Sequence, residues 1–241
     1  MDAETVDDLL TRDRRSERPA LEDATGREFD YHWFCTSTWK AGNFLRHSGV
    51  RNGVSVGVVG DSPFALLAFF GTALLEATTR FDPPTSLADE ADFRTLVAPV
   101  DDLERYDVPQ GAQRVGYGTQ PERPDVHHFD AGLWSENPSF PPLSIDPETP
   151  LLSDGERTVS HGDVVTAASA VADEYELDED TRVAVAGALS DHRAVTAGLI
   201  APLLAGGTIV LLDEGTVADR ADVAVGGDGD LERIDLERVP L

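Results

Sequence analysis

A few groups of residues in this 241-residue chain have types and spacings suited to chemistry. Gly60-Asp61-Ser62 puts a serine straight after the β-branched run at 54–59. A serine there acts as a nucleophile if an imidazole lies within hydrogen-bond reach and backbone donors face the developing oxyanion. Asp125-Val126-His127-His128 supplies an Asp-x-x-His pair. The competing reading of Asp61-Ser62-Pro63 is a helix start, with Asp61 or Ser62 as cap and Pro63 in the first turn, and it is the one preferred here. His161 and His192 also fall at helix starts, where a neutral imidazole suffices. Gly226-Gly227-Asp228-Gly229-Asp230 has the look of a calcium loop, but its second acid is one residue early and no repeat follows, so a turn before a closing strand is expected. No Cys, His and carboxylate set stands at ligand spacing, and no metal is expected. Cys35 is the single cysteine, so no intrachain disulfide can form.

These residues must be positioned by alternating strands and helices. Residues 1–18 are polar and aperiodic and read as an arm or short leading helix. From Pro19, two short strands flank Ala24-Thr25-Gly26. Asp30 then caps a helix with Phe34, Ala41 and Leu45 at helical spacing and Gly49 at its C-terminal cap. A buried strand at 54–59 and an all-apolar helix at 64–75 follow. The order returns after residue 150, with a strand pair around Gly155, a helix at 161–175, a strand at 182–186, a helix at 192–204 and a strand at 208–212. The expected class is α/β, a mostly parallel sheet with helices on both faces, built from two pseudo-repeated βαβ units. The expected boundaries are a polar arm at 1–18, a first α/β unit at 19–83, an irregular connector with short strands at 84–149, and a second unit with closing strands at 150–241. Trp33, Trp39 and Phe44 on one helix exceed what a narrow stripe buries, so part of that surface is a candidate for contact with another chain.

Composition narrows the function classes. There are 45 acidic residues against 19 basic ones, a net charge of −26, and Lys40 is the sole lysine. Such a chain lacks the surplus cations that hold phosphate backbones or anionic headgroups, which excludes sequence-independent binding to nucleic acid or membrane. The carboxylate excess reads as adaptation to a high-salt cytoplasm, where salt screens self-repulsion. The start MDAETVDDLL has neither a basic nor an apolar leader region, and no apolar stretch reaches membrane-spanning length, so a cytoplasmic location is expected.

Several stretches together resemble the adenylate-forming acyl-CoA synthetase and AMP-binding ligase family. They are Gly49-Val50-Arg51-Asn52-Gly53-Val54-Ser55-Val56, Gly60-Asp61-Ser62-Pro63, Phe81-Asp82-Pro83, and Thr158-Val159-Ser160-His161-Gly162-Asp163-Val164. The likeness spans about residues 17–213, carried by order and spacing. It implies a shortened N-terminal region of such a ligase. The family's Ser/Thr/Gly-rich phosphate loop, ending in Gly-x-Pro-Lys-Gly, corresponds here to Leu152-Ser153-Asp154-Gly155-Glu156-Arg157, so Ser153, Asp154 and Gly155 mark a degenerate cofactor position with one glycine and no lysine. The resemblance makes His192 and Gly198 candidates for the wall of an acyl pocket. The 28 residues after Asp213 leave no room for the family's C-terminal domain and its catalytic lysine. Gly116-Tyr117-Gly118-Thr119-Gln120 looks like the family's adenine motif but precedes the phosphate-loop position, and is read as a strand end and turn.

The expected role is therefore non-catalytic: a ligand-sensing or ligase-associated module, with no catalytic residue and no cofactor assigned. One alternative is an acyl-activating subunit to which a partner chain brings the missing parts, ATP and CoA binding included. A remote alternative is an esterase that resembles the Gly-Asp-Ser hydrolases and uses Ser62. The expected partners are a full-length ligase or a second copy of the chain.

Overall fold

The computed structural model describes residues 3–212, 220–227 and 231–241. It divides into two compact units. The first takes the described residues of Met1–Cys35, Asp146–Thr149 and Val159–Leu241, and the second takes Thr36–Ile145 and Pro150–Thr158.

The second unit centres on a seven-stranded sheet. Its strands are β3 (Ser55–Val58), β4 (Thr78–Phe81), β5 (Phe93–Pro99), β6 (Gln113–Tyr117), β7 (Val126–His128), β8 (Pro150–Ser153) and β9 (Thr158–Ser160), in the order β7-β6-β5-β3-β4-β8-β9. β3 is the middle strand, buried at all four residues and paired in parallel on both sides, with Val58 opposite Phe81 and Val97. A strand covered on both faces needs a largely apolar run, as residues 54–59 supply with Ser55 the one polar member. Helix α1 (Tyr31–His47) leads into β3, and α2 (Pro63–Ala73) joins β3 to β4. Ser62 caps α2 by accepting from the Ala65 N–H at 3.3 Å, and Pro63 opens its first turn. Every residue of α2 from Ala65 to Ala73 is buried. Gly42 of α1 and Gly71 of α2 let the two backbones touch: a Cβ on Gly71 would lie 2.8 Å from the Gly42 nitrogen.

The first unit contains a six-stranded sheet formed by β1 (Pro19–Glu22), β2 (Glu28–Asp30), β10 (Arg182–Val185), β11 (Thr208–Leu211), β12 (Val223–Val225) and β13 (Glu232–Ile234), in the order β13-β12-β10-β11-β1-β2. Helix α4 (His161–Glu174) begins with a reciprocal cap in which Ser160 Oγ accepts from the Asp163 N–H at 3.1 Å and Asp163 Oδ2 accepts from the Ser160 N–H at 3.0 Å. The expected helix at 192–204 is present but interrupted. It runs as α5 (His192–Val195), a π-helical turn at Thr196–Ile200, and α6 (Ala201–Ala205). Pro202 explains the interruption, because it has no N–H to give to the preceding turn and its ring would crowd the Gly198 carbonyl.

The α/β class and the repeated element order agree with expectation. The strand partners differ. There are two sheets, and each repeat contributes its leading hairpin to the sheet that its other strands do not join: β1 pairs in parallel with β11, and β8 with β4. Residues 84–149, expected as a connector, supply β5, β6 and β7 of the seven-stranded sheet and a short helix, α3 (Phe129–Ser135). The expected polar arm has an apolar face, with Val6, Leu9 and Leu10 buried. Arg14 further along donates to the Leu203 and Leu204 carbonyls at 3.1 and 3.2 Å, capping the end of α6.

Candidate functional site

The segment 153–157 is the turn that closes the β8–β9 hairpin, and its donors are engaged within the turn. Ser153 Oγ accepts from the Gly155 N–H at 3.0 Å. Asp154 Oδ1 accepts from the N–H groups of Glu156 and Arg157 at 2.8 and 2.7 Å. The Asp154 N–H donates to the Arg157 carbonyl at 3.2 Å. The Asp154 carboxylate thus takes up backbone donors of the kind that could otherwise receive an anion. Gly155 has φ +96°, and a Cβ there would lie 2.7 Å from the Arg80 guanidinium. Arg80 comes from β4 and is tied to Glu90 at 2.9 Å. Its position beneath the turn was hidden in the sequence, 75 residues away. With Asp154, Glu156 and Glu90 against Arg80 and Arg157, the residues present do not fit a polyphosphate.

In doubly wound sheets ligands settle outside the carboxyl ends of strands where the strand order reverses. In the first unit that point lies between β10 and β12. The Ala186 and Gly187 N–H groups there donate to the Val225 carbonyl at 2.9 and 2.8 Å. Gly226, with φ +74°, runs so close that a Cβ on it would stand 2.8 Å from Gly187. Next in the chain after β10, Asp191 caps α5 through the Arg193 N–H at 2.9 Å, which positions His192. His192 is only 6% exposed, and its Nε2 has no hydrogen-bond partner. Such a buried polar atom is costly unless something satisfies it. Gly198 lies in the π turn, where a Cβ would sit 3.0 Å from Val185 of β10, so the turn rests directly on the strand. His192 and Gly198 therefore both belong to the α5–α6 segment beside this reversal. Asp228, Gly229 and Asp230 of the calcium-like stretch lie outside the described residues.

The corresponding reversal in the second unit, between β3 and β5, is filled from within. The Gly60 N–H donates to Asp82 Oδ1 at 3.0 Å, and the Tyr117 hydroxyl donates to the Val59 carbonyl at 2.6 Å. Asp82 adopts φ +41°, a left-handed strain for a non-glycine residue held in place by that contact. Burial pushes the Tyr117 phenol up to about 12. The Asp125-x-x-His128 pair is not assembled for nucleophilic catalysis. Asp125 grips Arg123 at 2.6 and 3.0 Å, His127 Nε2 faces Gln113 Oε1 at 3.1 Å, and His128 Nε2 has no hydrogen-bond partner and lies 3.9 Å from the Asp130 carboxylate. Ser62 serves α2. Tyr117 ends β6 and Gly118 turns with φ +90°, as the strand-end reading of that stretch expects.

No family model matches the sequence, and no curated protein does. Solved structures do match. The N-terminal domain of FACL13 from Mycobacterium tuberculosis has a TM-score of 0.73 at 16% identity, covering 92% of this chain and 62% of that one. The anthranilate CoA ligase AuaEII, in complex with anthranoyl-AMP, gives 0.73 at 18%, covering 91% and 49%. MatB from Rhodopseudomonas palustris gives 0.71 at 15%, covering 93% and 49%. The fold is that of an acyl-CoA synthetase N-terminal domain. At these identities the likeness concerns the fold alone, and the chain spans between 49% and 62% of the length of these structures. Among the described residues no helix is long and apolar enough to cross a membrane, and no group of three or more His, Cys, Asp and Glu could hold a metal ion.

Proposed function

We propose that this chain is a non-catalytic, ligand-sensing module built on the N-terminal-domain fold of acyl-CoA synthetases. The observation that carries the reading is the 153–157 turn, whose N–H groups are taken up by Ser153 and Asp154 of the same turn. Catalysis of adenylation depends most on donors and cations fixed around developing phosphate charge, whereas in this turn Asp154 and Ser153 take up the N–H groups and Arg157 is outnumbered by Asp154 and Glu156. The sensing role is supported by the first unit, where buried His192 keeps an unpartnered Nε2 on the segment whose Ala194 and Gly198 approach Gly187 and Val185. An imidazole in that state suits a small ligand with one hydrogen-bonding group and an apolar body. Acyl compounds and acyl adenylates have that chemistry, and AuaEII is complexed with one of them.

A thermal-shift series in molar KCl tests the proposal with ATP, AMP, CoA, short acyl-CoAs and anthranoyl-AMP as probes. An acyl-bearing probe is expected to raise the melting temperature, as ligand binding to the folded state does. The His192→Leu variant should lose that shift while keeping its fold. Stabilisation by micromolar ATP, or an acyl-induced shift indifferent to His192→Leu, would overturn the reading.

A further inference from the structure

In a chain with 45 acidic residues, a cation has carboxylates close to hand. Arg18, Arg80, Arg123 and Arg182 all use them. Lys40 and Arg46 on α1 do not: neither pairs with a carboxylate among the described residues. Both lie over aromatic rings, with Lys40 Nζ 5.8 Å from the centre of Trp134 and the Arg46 guanidinium 4.8 Å from that of Phe140. Trp134 is 81% exposed, whereas Trp39 is buried.

The surface belongs to the second unit and is held in shape. Positions 40, 43, 44 and 47 share one helix face. Asn43 Nδ2 donates to the Asn137 and Ser139 carbonyls at 3.0 Å each. Phe44 meets Phe129 edge-on at 5.3 Å, and a Cβ on Gly42 would lie 2.8 Å from the Phe140 ring. The segment from Trp134 to Phe140 is thereby pinned along α1, with the exposed Trp134 ring beside Lys40 and the Phe140 ring beside Arg46.

We propose that this face docks an acidic segment of a partner protein, which sets carboxylates against Lys40 and Arg46 and an apolar side chain against the Trp134 ring. Charge complementarity selects that occupant: on a chain of net charge −26 this face holds Lys40 and Arg46 without carboxylate partners among the described residues, while Glu136 of the same segment lies 3.8 Å from His47. Tryptophan and arginine are also the residue types that dominate interface energies. Salt should act in an unusual direction. At low salt the overall negative charge repels an acidic partner. At about 1 M salt the screening length shrinks to about 3 Å, and contact pairs and ring burial remain. Docking therefore strengthens toward molar salt, opposite to an ordinary surface ion pair.

The test uses the full chain and a fluorescein-labelled amphipathic peptide of Glu and Leu, read by anisotropy in KCl concentrations where circular dichroism shows the fold intact. The same peptide with Lys in place of Glu is the control. Saturable binding of the acidic peptide alone is expected, tightening as KCl rises. Trp134→Ala should weaken it about thirtyfold. The Lys40→Glu, Arg46→Glu pair should abolish it, and Lys40→Arg should retain it. Absence of saturable binding, equal binding of both peptides, or indifference to Trp134→Ala would overturn the proposal. So would sedimentation showing a homo-oligomer that Trp134→Ala dissociates, because the occupant would then be a second copy of the chain.

Discussion

His161 gives the sharpest test of how the first unit is held together. Its ring is wholly buried at the start of α4, its Nδ1 accepts the Val6 N–H at 3.3 Å, and its Nε2 has no partner. Burial disfavours the imidazolium and pushes the group down to about 4. An unfolded histidine titrates near 6.5, so below that pH the unfolded chain binds a proton that the folded chain refuses. Stability from this residue is therefore complete above about pH 6.5 and falls as the pH drops toward 4. A displacement of this size corresponds to about 3 kcal/mol, a large part of the 5–15 kcal/mol typical of a domain. Protonation would also set an N–H against the Val6 N–H and release the segment that buries Val6, Leu9 and Leu10. Denaturant unfolding in molar KCl, compared between wild type and His161→Phe from pH 8 to pH 4, isolates the effect, because carboxylate titrations are common to both. Wild type should lose stability across that window more steeply than the variant. Parallel profiles would refute the reasoning.

Three further outcomes are expected. Gly71→Val should destabilise by about 1–3 kcal/mol in denaturant unfolding, because its Cβ would meet the Gly42 and Ala41 backbone at 2.8–2.9 Å, which no rotamer change relieves. Glu22 is buried between Arg182 and Arg220, so Glu22→Ala should cost about 2 kcal/mol, less than for a fully buried pair because both arginines reach solvent; a neutral result would show the trio to be idle. The melting temperature should climb steeply from low to multimolar KCl as salt screens the carboxylate excess, whereas a flat profile would cut the link between acidity and salt.

Local code was legible wherever one residue fixes one backbone state. Ser62-Pro63 and the glycine cap at Gly49, with φ +83°, were read from short-range chemistry, and the Ser160–Asp163 box and the Gly206 cap, with φ +86°, rest on the same chemistry but were not read in advance. Buried strands were legible because only a doubly covered strand tolerates runs such as those of β3 and β10. Their partners were not. Leu21 pairs with Ile209, 188 residues on, and nothing in the alternation of β1 distinguishes β11 from β4 as its neighbour. The candidate site divides in the same way. The lack of lysine and the surplus of acid at 153–157 could be read directly, but the capture of the turn's N–H groups by Asp154, the Arg80 guanidinium beneath Gly155, and the Asp82 carboxylate on Gly60 are contacts that only the fold creates. The exposed aromatic ring differs from the sequence expectation for a related reason. Trp39 is buried, Trp33 stacks on Phe29 at 4.2 Å, and the exposed ring belongs to Trp134 in a segment with little helical pattern.

Acid-dependent exchange of labelled pyrophosphate into ATP, measured on the purified chain in molar KCl, bears most directly on the central claim. On the proposed reading, a turn that satisfies its own donors and carries Asp154 and Glu156 should give no exchange above a control lacking the acid substrate. The Asp154→Lys, Glu156→Gly double variant should give none either, since opening one turn does not rebuild the remaining charge stabilisation that adenylation needs. Exchange by the wild-type chain with any carboxylic acid, above that control, would contradict the non-catalytic account.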